Sequence, residues 1–516
     1  MLPFFAMFDI PRSSGVLLHP SSLPGRFGIG EIGPEALRWL EVMAAAGQRL
    51  WQTLPLGPTG YGNSPYQSLS SFAGNPLMIS FESLATDGVL LPQDLQMIPT
   101  FPEGRVDFGG AIEVRTAFLK LAARRFLVQC SQSPLMKRAF DVFCDREAAW
   151  LDDFALFVAL KEENRHRAWV EWPTELALRE PGALAEAMVR LEPEVEECKV
   201  LQFFFHRQWQ KVRLRAKELG ITIIGDIPIF TAHDSADVWA APRLFELDDK
   251  GQPIVVAGVP PDYFSATGQR WGNPLYKWDA HQADGFAWWK ARMQKVFELV
   301  DVVRIDHFRG FAAYWEIPGT EPTAINGRWV EAPGDALFVA LREALGDVPV
   351  IAEDLGIITP DVVALRERQG FPGMKVMQFA FGADSLAQEY IPENYPDDCV
   401  AYTGTHDNDT VLGLFRSEAG GDSTRTQEQV DAERRTILNY TGTDGSELNW
   451  DYLQRVWQSQ ARLAIAPLQD VLGLGSEARM NAPGQTGDFW AWRFAWDDLT
   501  PTALERLKGI TEASGR

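Results

Sequence analysis

The chain has 516 residues, 46% of them hydrophobic and 23% charged, and a formal net charge of −22. These proportions are typical of a folded protein with a large core, and the excess of acidic residues excludes nucleic acid and anionic membrane surfaces as partners. The chain has no apolar run of 18 residues, and its four cysteines show no metal-ligand spacing. We therefore expect a cytoplasmic protein with reduced thiols and no membrane span.

Eight apolar runs along the chain predict eight short β-strands, most of them followed by a helical pattern. Such patterns at 34–46 and 360–368 follow the first and the fifth run. Eight strand–helix units make up a (β/α)8 TIM barrel, so we predict an α/β fold of this type as a single catalytic domain over residues 1–516. The eight runs are 15–23, 49–56, 221–230, 301–308, 349–356, 375–381, 399–407 and 464–474.

Two long segments between the runs predict insertions on the face of the barrel where substrate binds. Residues 57–220 contain Ala/Leu/Arg-rich helical patterns and predict a mostly helical subdomain inserted after strand 2. Residues 231–300 are rich in Trp, Pro and Gly and predict a second, smaller insertion over the cleft. After residues 490–496 too few residues remain for a C-terminal β-sandwich domain. The helical patterns within the first segment are 111–129, 136–161 and 176–217.

Three acidic residues lie at the ends of three runs, and they are the main indication of function. Asp306 and Glu353 lie near the ends of the fourth and fifth runs, and Asp407 ends the seventh. The carboxyl ends of barrel strands meet at one face. A pair of carboxyl groups, one neutral and one ionised, is what the cleavage of a glycosidic bond requires. The sequence therefore predicts an enzyme that cleaves or transfers sugars.

The residues next to Asp306 and Glu353 suggest separate roles for the two acids. Arg304 is two residues before Asp306, so both point to the same side of a strand, and a guanidinium favours the ionised carboxylate that a nucleophile needs. The alternative is a structural ion pair at the barrel rim. Glu353 ends an apolar strand, where burial raises a carboxyl pKa as a general acid requires. The alternative is that Glu353 and Asp354 only face the start of a helix.

Two further polar strand ends have open interpretations. His406 and Asp407, within the polar segment 405–409, are suited to gripping adjacent sugar hydroxyls, but the same residue types occur in a Ca²⁺ loop or a simple turn. Asp226 either supports the Arg304 side of the site or is only structural.

Aromatic residues are the second indication of a sugar site. The chain contains 18 tryptophans, and segments 61–66 and 262–273 place rings beside amide and hydroxyl side chains, which is how proteins stack on and hydrogen-bond sugars. Trp288 and Trp289 lie in a helical pattern and are interpreted as core residues. Because the chain has no phosphate-loop or dinucleotide motif and no metal-ligand histidine spacing, we expect no cofactor and no metal.

Several long motifs, in order from residue 12 to 493, resemble those of the amylomaltases, the 4-α-glucanotransferases of glycoside hydrolase family 77. The resemblance implies that Asp306 is the nucleophile, Glu353 the acid/base and Asp407 the third acid, which stabilises the transition state. It departs at Phe489, where the family usually has Asn. The motifs are 22–25, 54–66, 225–229, 258–264, 304–307, 352–356 and 402–409. The implied substrate-binding residues are Tyr61, Ser64, Asp226, Trp271, Arg304, His307, His406 and Asn481.

The resemblance also implies the reaction. A segment of α-1,4-glucan or maltooligosaccharide is moved from a donor to the 4-hydroxyl of an acceptor glucan or glucose, with retention of configuration. A retaining α-glucan hydrolase would use the same carboxylates and stays open as an alternative. A non-catalytic glucan-binding protein would lack one of the three acids, and all three are present. A metal-dependent barrel enzyme, with the acids as ligands, is the third alternative.

Overall fold

Eight parallel strands form the centre of the computed structural model, which describes residues 10–261, 265–356, 358–382, 386–420, 425–485 and 487–516. Residues 262–264, which belong to the aromatic segment 262–273 and to the motif 258–264, lie outside the described residues. The strands are β1 Ser13–Leu17, β2 Leu50–Gln52, β3 Thr222–Pro228, β4 Val255–Val259, β5 Gln269–Pro274, β6 Val302–Asp306, β7 Ala313–Pro318, β8 Arg328–Glu331, β9 Val350–Ala352, β10 Gly373–Val376, β11 Cys399–Tyr402 and β12 Leu463–Pro467.

The central sheet is a closed barrel whose strands follow chain order. The parallel pairs are β1 with β2, β2 with β3, β3 with β6 and β6 with β9, and then β10 with β11, β11 with β12 and β12 with β1. Between β9 and β10 the Ala352 N–H donates to the Pro372 carbonyl at 2.9 Å, which joins the remaining edges. The predicted α/β fold with eight barrel strands is therefore confirmed.

The barrel interior explains why the strands read as continuous apolar runs. Strands of a closed parallel barrel are covered on both faces, and every residue of β11 and β12 is buried. All eight strands contribute to one cluster of buried side chains inside the barrel, consisting of Leu17, Leu50, Ile224, Val302, Ile351, Met374, Val376, Val400, Tyr402, Leu463 and Ile465.

The barrel strands are shorter than the predicted runs, because the chain often turns directly into a helix. The run 464–474 begins one residue inside β12, which ends at Pro467, and continues into a helix. The run 375–381 passes from β10 into a 3-10 turn over Met377–Ala380. In both places apolar residues continue from strand into helix, so hydrophobicity alone did not locate the boundary.

The helices surround the barrel, and seven of them lie between β2 and β3, within the predicted helical insertion 57–220. The predicted pattern 176–217 is divided among three helices. That the insertion is a subdomain of its own stays a prediction. The helices are α1 Pro34–Ala45, α2 Phe81–Thr86, α3 Pro92–Met97, α4 Phe108–Gln132, α5 Pro134–Glu163, α6 Thr174–Ala177, α7 Pro181–Arg190, α8 Glu192–Glu218, α9 Ala236–Ala240, α10 Trp278–Ala283, α11 Ala287–Leu299, α12 Gly334–Leu345, α13 Pro360–Gln369, α14 Val411–Arg416, α15 Gln427–Thr441, α16 Leu448–Gln458, α17 Leu468–Leu472 and α18 Pro501–Ala513.

A second, antiparallel sheet lies beside the barrel, with the strand order β5-β4-β7-β8. Strands β4 and β5 come from the segment 231–300, whereas β7 and β8 follow β6. The sequence analysis assigned no strand to the residues of β7 and β8. After β12 the described residues form α17 and α18 and no further sheet.

The cysteines and the helices can be compared with the expectations of reduced thiols and no membrane span. All four cysteines are free, and Cys130, Cys198 and Cys399 are buried. Among the described residues, no helix has both the length and the apolar character needed to cross a bilayer.

Candidate active site

A buried guanidinium joins two carboxylates at the carboxyl ends of β3 and β6. Arg304 donates from Nη1 to Asp226 Oδ2 and from Nη2 to Asp306 Oδ1, both at 2.7 Å. Strand register places Asp226 opposite Arg304 and Pro228 opposite Asp306. The side chains of Asp226 and Arg304 are almost fully buried, while Asp306 is about one-third exposed. One carboxylate is therefore left facing the open end of the barrel.

Burial and charge act in opposite directions on this cluster. Burial raises the pKa of Asp226 to about 7, although the Arg304 charge favours its ionised form. Burial lowers the pKa of Arg304, but the charges of Asp226 and Asp306 outweigh it and hold that pKa well above its usual value. Arg304 therefore stays charged, and it supplies the positive charge beside Asp306.

Glu353 lies next to Asp306 because β6 and β9 are neighbours. Ile305 is opposite Ala352, and the Glu353 N–H donates to the Ile305 carbonyl at 3.1 Å. Both acids thus follow paired positions on strands about 4.8 Å apart. The Glu353 carboxylate accepts backbone N–H bonds from His307 at 2.7 Å and Leu355 at 3.0 Å. Those bonds fix its position without supplying a countercharge.

Glu353 is held neutral at ordinary pH. Burial raises its pKa to about 8, with help from the Asp306 charge, and outweighs the Arg304 charge and the two N–H bonds, which lower it. A neutral carboxylic acid next to a carboxyl group that is paired with a guanidinium is an arrangement suited to acid–base catalysis on a glycosidic bond.

Asp407 completes the group from the turn after β11, five residues beyond Tyr402, the last residue of that strand. Its Oδ1 accepts from Asn481 Nδ2 at 2.6 Å and lies 3.3 Å from His406 Nε2. Arg479 donates to the Asp407 carbonyl at 2.8 Å and to the Asn481 carbonyl at 2.6 Å. His406 is buried, and burial lowers its pKa. Segment 479–481 therefore holds the turn after β11 in place, even though Phe489 replaces the usual family Asn.

The polar residues after Asp407 bond to the protein itself. Asn408 Oδ1 accepts from the Thr405 N–H at 2.9 Å and from its hydroxyl at 2.8 Å, and Asp409 accepts from Ser476 Oγ at 2.6 Å. Among the described residues, no three His, Cys, Asp or Glu side chains are grouped as metal ligands.

Tyr66 is a functional candidate that the sequence analysis did not select. Its hydroxyl donates to Asp226 Oδ2 at 2.9 Å, and its ring stacks on His406 at 5.1 Å between ring centres. Tyr61, the tyrosine selected for stacking, has an 87% exposed side chain. Ser64 accepts from the Tyr66 N–H at 3.3 Å, so it shapes the turn before this ring. No local pattern separates the two tyrosines; only the folded loop does.

His19 is a second residue that was not predicted for the site. It is buried two positions after the end of β1, in the middle of the first predicted run, so its place in that run did not single it out. Burial, with the nearby His406 adding to it, lowers the His19 pKa to about 3, so its imidazole is neutral.

Trp271 and His307 border the Asp306 side of the site. Their rings meet edge to face at 4.8 Å between centres, which brings β5 and the second sheet next to the residue after Asp306. His307 has a left-handed backbone conformation (φ 55°). Burial lowers its pKa to about 3. The strained turn directs the chain away from β6 and presents the His307 N–H to Glu353.

Comparison with known proteins decides the family. The model of the Glyco_hydro_77 family, 4-alpha-glucanotransferase, matches residues 18–500. The chain belongs to this family of 4-α-glucanotransferases. Its activity is that of an amylomaltase, acting on α-1,4-glucans.

Individual relatives of this 4-α-glucanotransferase are similar over almost the whole chain. A 4-alpha-glucanotransferase of Thermus thermophilus is 51% identical over 98% of this chain and 100% of the relative. One from Synechocystis is 47% identical over 98% of each chain. Among solved structures, the amylomaltase from Streptococcus agalactiae in complex with acarbose matches with a TM-score of 0.91 and 39% identity, covering 98% of this chain and 99% of that one.

Proposed function

We propose that the chain transfers α-1,4-glucan segments by a retaining double displacement, with Asp306 as nucleophile, Glu353 as acid/base and Asp407 as the third acid. The observation that carries this assignment is the contrast between adjacent carboxyl groups. Asp306 lies against Arg304 at 2.7 Å, whereas burial raises the pKa of Glu353 to about 8. Maltooligosaccharides and longer α-1,4-glucans serve as donors, and glucans or glucose serve as acceptors.

In the first step Asp306 attacks the anomeric carbon of the donor while Glu353 protonates the departing glycosidic oxygen. The C–O bond to the leaving sugar breaks, a bond to the Asp306 carboxylate forms, and the leaving sugar departs with the proton of Glu353. The position of the two carboxyl groups on neighbouring strands supports retention. In retaining enzymes these groups are only about 5–5.5 Å apart, whereas in inverting enzymes they are farther apart to leave room for a water molecule.

In the second step Glu353 acts as a base. It removes the proton from the 4-hydroxyl of the acceptor, which attacks the anomeric carbon and displaces Asp306. The same group returns to its protonated state, so the cycle is balanced without a cofactor.

Asp407 supports the transition state through the sugar ring hydroxyls. Asn481 and His406 hold its Oδ1 on one side, which leaves the other carboxylate oxygen for the donor sugar. The stacked Tyr66 and His406 rings form an apolar wall beside it, and Arg304 and Asp226 orient the nucleophile from below. Hydrogen bonds to ring hydroxyls that strengthen in the transition state contribute several kcal/mol in glycosidases.

Transfer wins over hydrolysis only if an acceptor sugar is held in position while water is kept from the intermediate. A bound hydroxyl in attack geometry reaches an effective concentration of about 10⁵ M or more, far above that of water. The second sheet, which touches the site through Trp271, and the loop around Tyr61 and Ser64 are the elements that supply acceptor contacts. Trp271, Tyr61, Ser64 and His307 are proposed as sugar contacts on this basis.

Maltotriose alone, with products separated by chain length, tests the proposal. Transfer gives glucose together with maltopentaose and longer chains, with little new reducing power. Products limited to glucose and maltose, with reducing ends rising in step, would show a hydrolase. Loss of activity on chelation with EDTA, restored by a divalent cation, would instead favour the metal-dependent alternative.

A further inference from the structure

A cavity whose wall does not include Asp306, Glu353 or Asp407 lies between α5, α9 and α11. Its volume is about 500 Å³, within the range of about 300–1,000 Å³ that is usual for small-molecule sites. Its wall includes Phe72, Trp150, Asp237, Trp288 and Gln294. Nothing in the proposed reaction uses this cavity.

Three aromatic rings form one wall of the cavity. Trp150 is stacked on Phe72 with ring centres 6.2 Å apart and planes at 14°, and Trp288 meets Phe72 edge to face at 6.0 Å. Trp289 is fully buried, as the helical pattern predicts, but Trp288 is only half-buried and faces the cavity. Partly exposed tryptophan rings such as those of Trp150 and Trp288 are platforms for the C–H faces of sugars.

A buried ion pair holds the Trp150 ring in place. Lys295 Nζ lies 2.7 Å from Glu147 Oε2, and both side chains are less than one-tenth exposed. The same Glu147 oxygen accepts from Trp150 Nε1 at 2.7 Å. A ring fixed in this way binds a ligand without losing further side-chain freedom, which favours affinity.

The charges around the cavity are already paired with protein groups, so they do not select a charged ligand. Carboxylates outnumber cations in the wall, which disfavours phosphates and other anions, yet each carboxylate has a partner, which leaves little net field for a cation. The pairs are Glu147 with Lys295 at 2.7 Å, Glu298 with Lys295 at 3.0 Å, Asp153 with Arg179 at 2.6 Å, Asp284 with Arg243 at 3.3 Å and Asp237 with the Ser71 N–H at 2.7 Å.

We propose that this cavity is a second carbohydrate-binding site, which holds a neutral oligosaccharide. Rigid rings for stacking, together with paired carboxylate, guanidinium and amide groups for hydroxyls, suit a polyhydroxylated ligand without charge. The identification of that sugar as an α-1,4-glucan rests on the proposed function.

The cavity is connected to the active site by a short segment of chain. Tyr66 bonds to Asp226, Ser71 bonds to Asp237, and Phe72 forms the aromatic wall. Phe72 follows Tyr66 by six positions, so their Cα atoms are at most about 20 Å apart. A glucan bound in the cavity is therefore kept near the cleavage site, which raises its effective concentration there.

Two adjacent alanines on α5 give a matched test. Ala149 and Ala148 are both exposed, but only Ala149 lines the cavity. In Asp306→Asn protein, which prevents turnover, Ala149→Trp fills the cavity, whereas Ala148→Trp adds the same ring outside it. Titration calorimetry with maltoheptaose should show one binding site fewer per chain, or at least tenfold weaker binding at one site, in Ala149→Trp. Equal stoichiometry and affinity in the two variants would overturn the proposal.

Ala291→Trp fills the cavity from α11 and repeats the test if Ala149→Trp does not fold. Thermal unfolding of each variant identifies folding defects. The binding titration does not depend on the reaction, since it uses Asp306→Asn protein. Transfer is tested separately, by the maltotriose assay on protein with Asp306 intact. Loss of maltoheptaose binding in Ala149→Trp without any transfer activity in the parent would refute the proposed function and leave the second site standing.

Discussion

The ends of β6 and β9 carry the same functional group in opposite surroundings. At the end of β6, Asp306 has a guanidinium at 2.7 Å and is partly open to solvent. At the end of β9, Glu353 is half-buried, and its carboxyl group accepts two backbone N–H bonds instead of an ion pair. Neighbouring strands of one sheet thus place a carboxyl group that is paired with a guanidinium beside one whose pKa is raised to about 8. The local environment, rather than the residue type, assigns the two roles.

Removal of the carboxylate at the end of β6 should have the largest effect. Asp306→Asn deletes the nucleophile and should lower kcat on maltotriose by about 10⁶-fold, as loss of a nucleophile does in other enzymes. The fall in kcat is measured by chromatography of the products. A thermal unfolding transition similar to that of the parent is the control for folding. Activity within tenfold of the parent would mean that the nucleophile lies elsewhere.

Removal of the β9 carboxyl group should cost less. Glu353→Gln keeps the shape but cannot give up a proton, so kcat on maltotriose should fall by about 10²–10⁴-fold. A maltosyl donor with a good leaving group, such as a fluoride, needs no protonation, and its first step should stay close to the parent rate. Equal losses on both donors would contradict the acid role.

The raised pKa of Glu353 also predicts how the activity depends on pH. The acid must be protonated in the free enzyme, and burial raises the pKa of Glu353 to about 8. The kcat/KM for maltotriose should therefore fall as pH rises through about 8, with a slope of one proton. An enzyme that keeps full kcat/KM at pH 9.5 would show that Glu353 is not the acid.

Stability has a related pH dependence of predictable sign. Glu353 holds its proton in the folded state up to about pH 8, whereas its unfolded-state pKa is near 4.5. Between these values the unfolded state binds fewer protons, so this group lowers the free energy of unfolding as pH rises. In Glu353→Gln the decline in Tm from pH 5 to 8 should be smaller. An unchanged decline would show that the group is not neutral in the folded protein.

Loss of the guanidinium at β6 should affect both stability and rate. Arg304→Met leaves the buried Asp226 without its countercharge, so above its pKa of about 7 the folded protein must hold an unpaired charge or take up a proton, at a cost of about 3–5 kcal/mol in the free energy of unfolding at pH 9. Urea denaturation measures it. Asp226→Asn in the same background should recover part of the stability, since the uncompensated charge is removed. No recovery would indicate that packing, rather than charge, holds Arg304 in place.

The smallest expected effect separates the two tyrosines of the loop. Tyr66→Phe loses the 2.9 Å bond to Asp226 but keeps the ring, so kcat/KM should fall by roughly tenfold, about the worth of one hydrogen bond. Tyr61→Phe is the matched control and should change maltotriose transfer less than twofold, because the Tyr61 side chain is mostly exposed. A larger loss in Tyr61→Phe would restore Tyr61 as the stacking residue.

The sequence by itself determined the barrel and the places from which its acids project. Strands buried on both faces must be continuously apolar, and the polar residue that ends each run marks the open rim. Asp306, Glu353 and Asp407 are recognisable in this way, whereas His19 lies in the middle of its predicted run and is not. Strand ends were less predictable, as Pro467 and the helix after it show, because apolar residues serve strand and helix equally.

Only the tertiary structure decided which side chains meet across the site. The contacts of Tyr66 with Asp226 and His406 join residues far apart in the chain, and nothing local distinguishes Tyr66 from Tyr61. The raised pKa of Glu353 likewise depends on burial and on Asp306 across the strand pair. Pattern in a sequence reports how one segment is buried, whereas the charge state and partners of a side chain depend on every element packed around it.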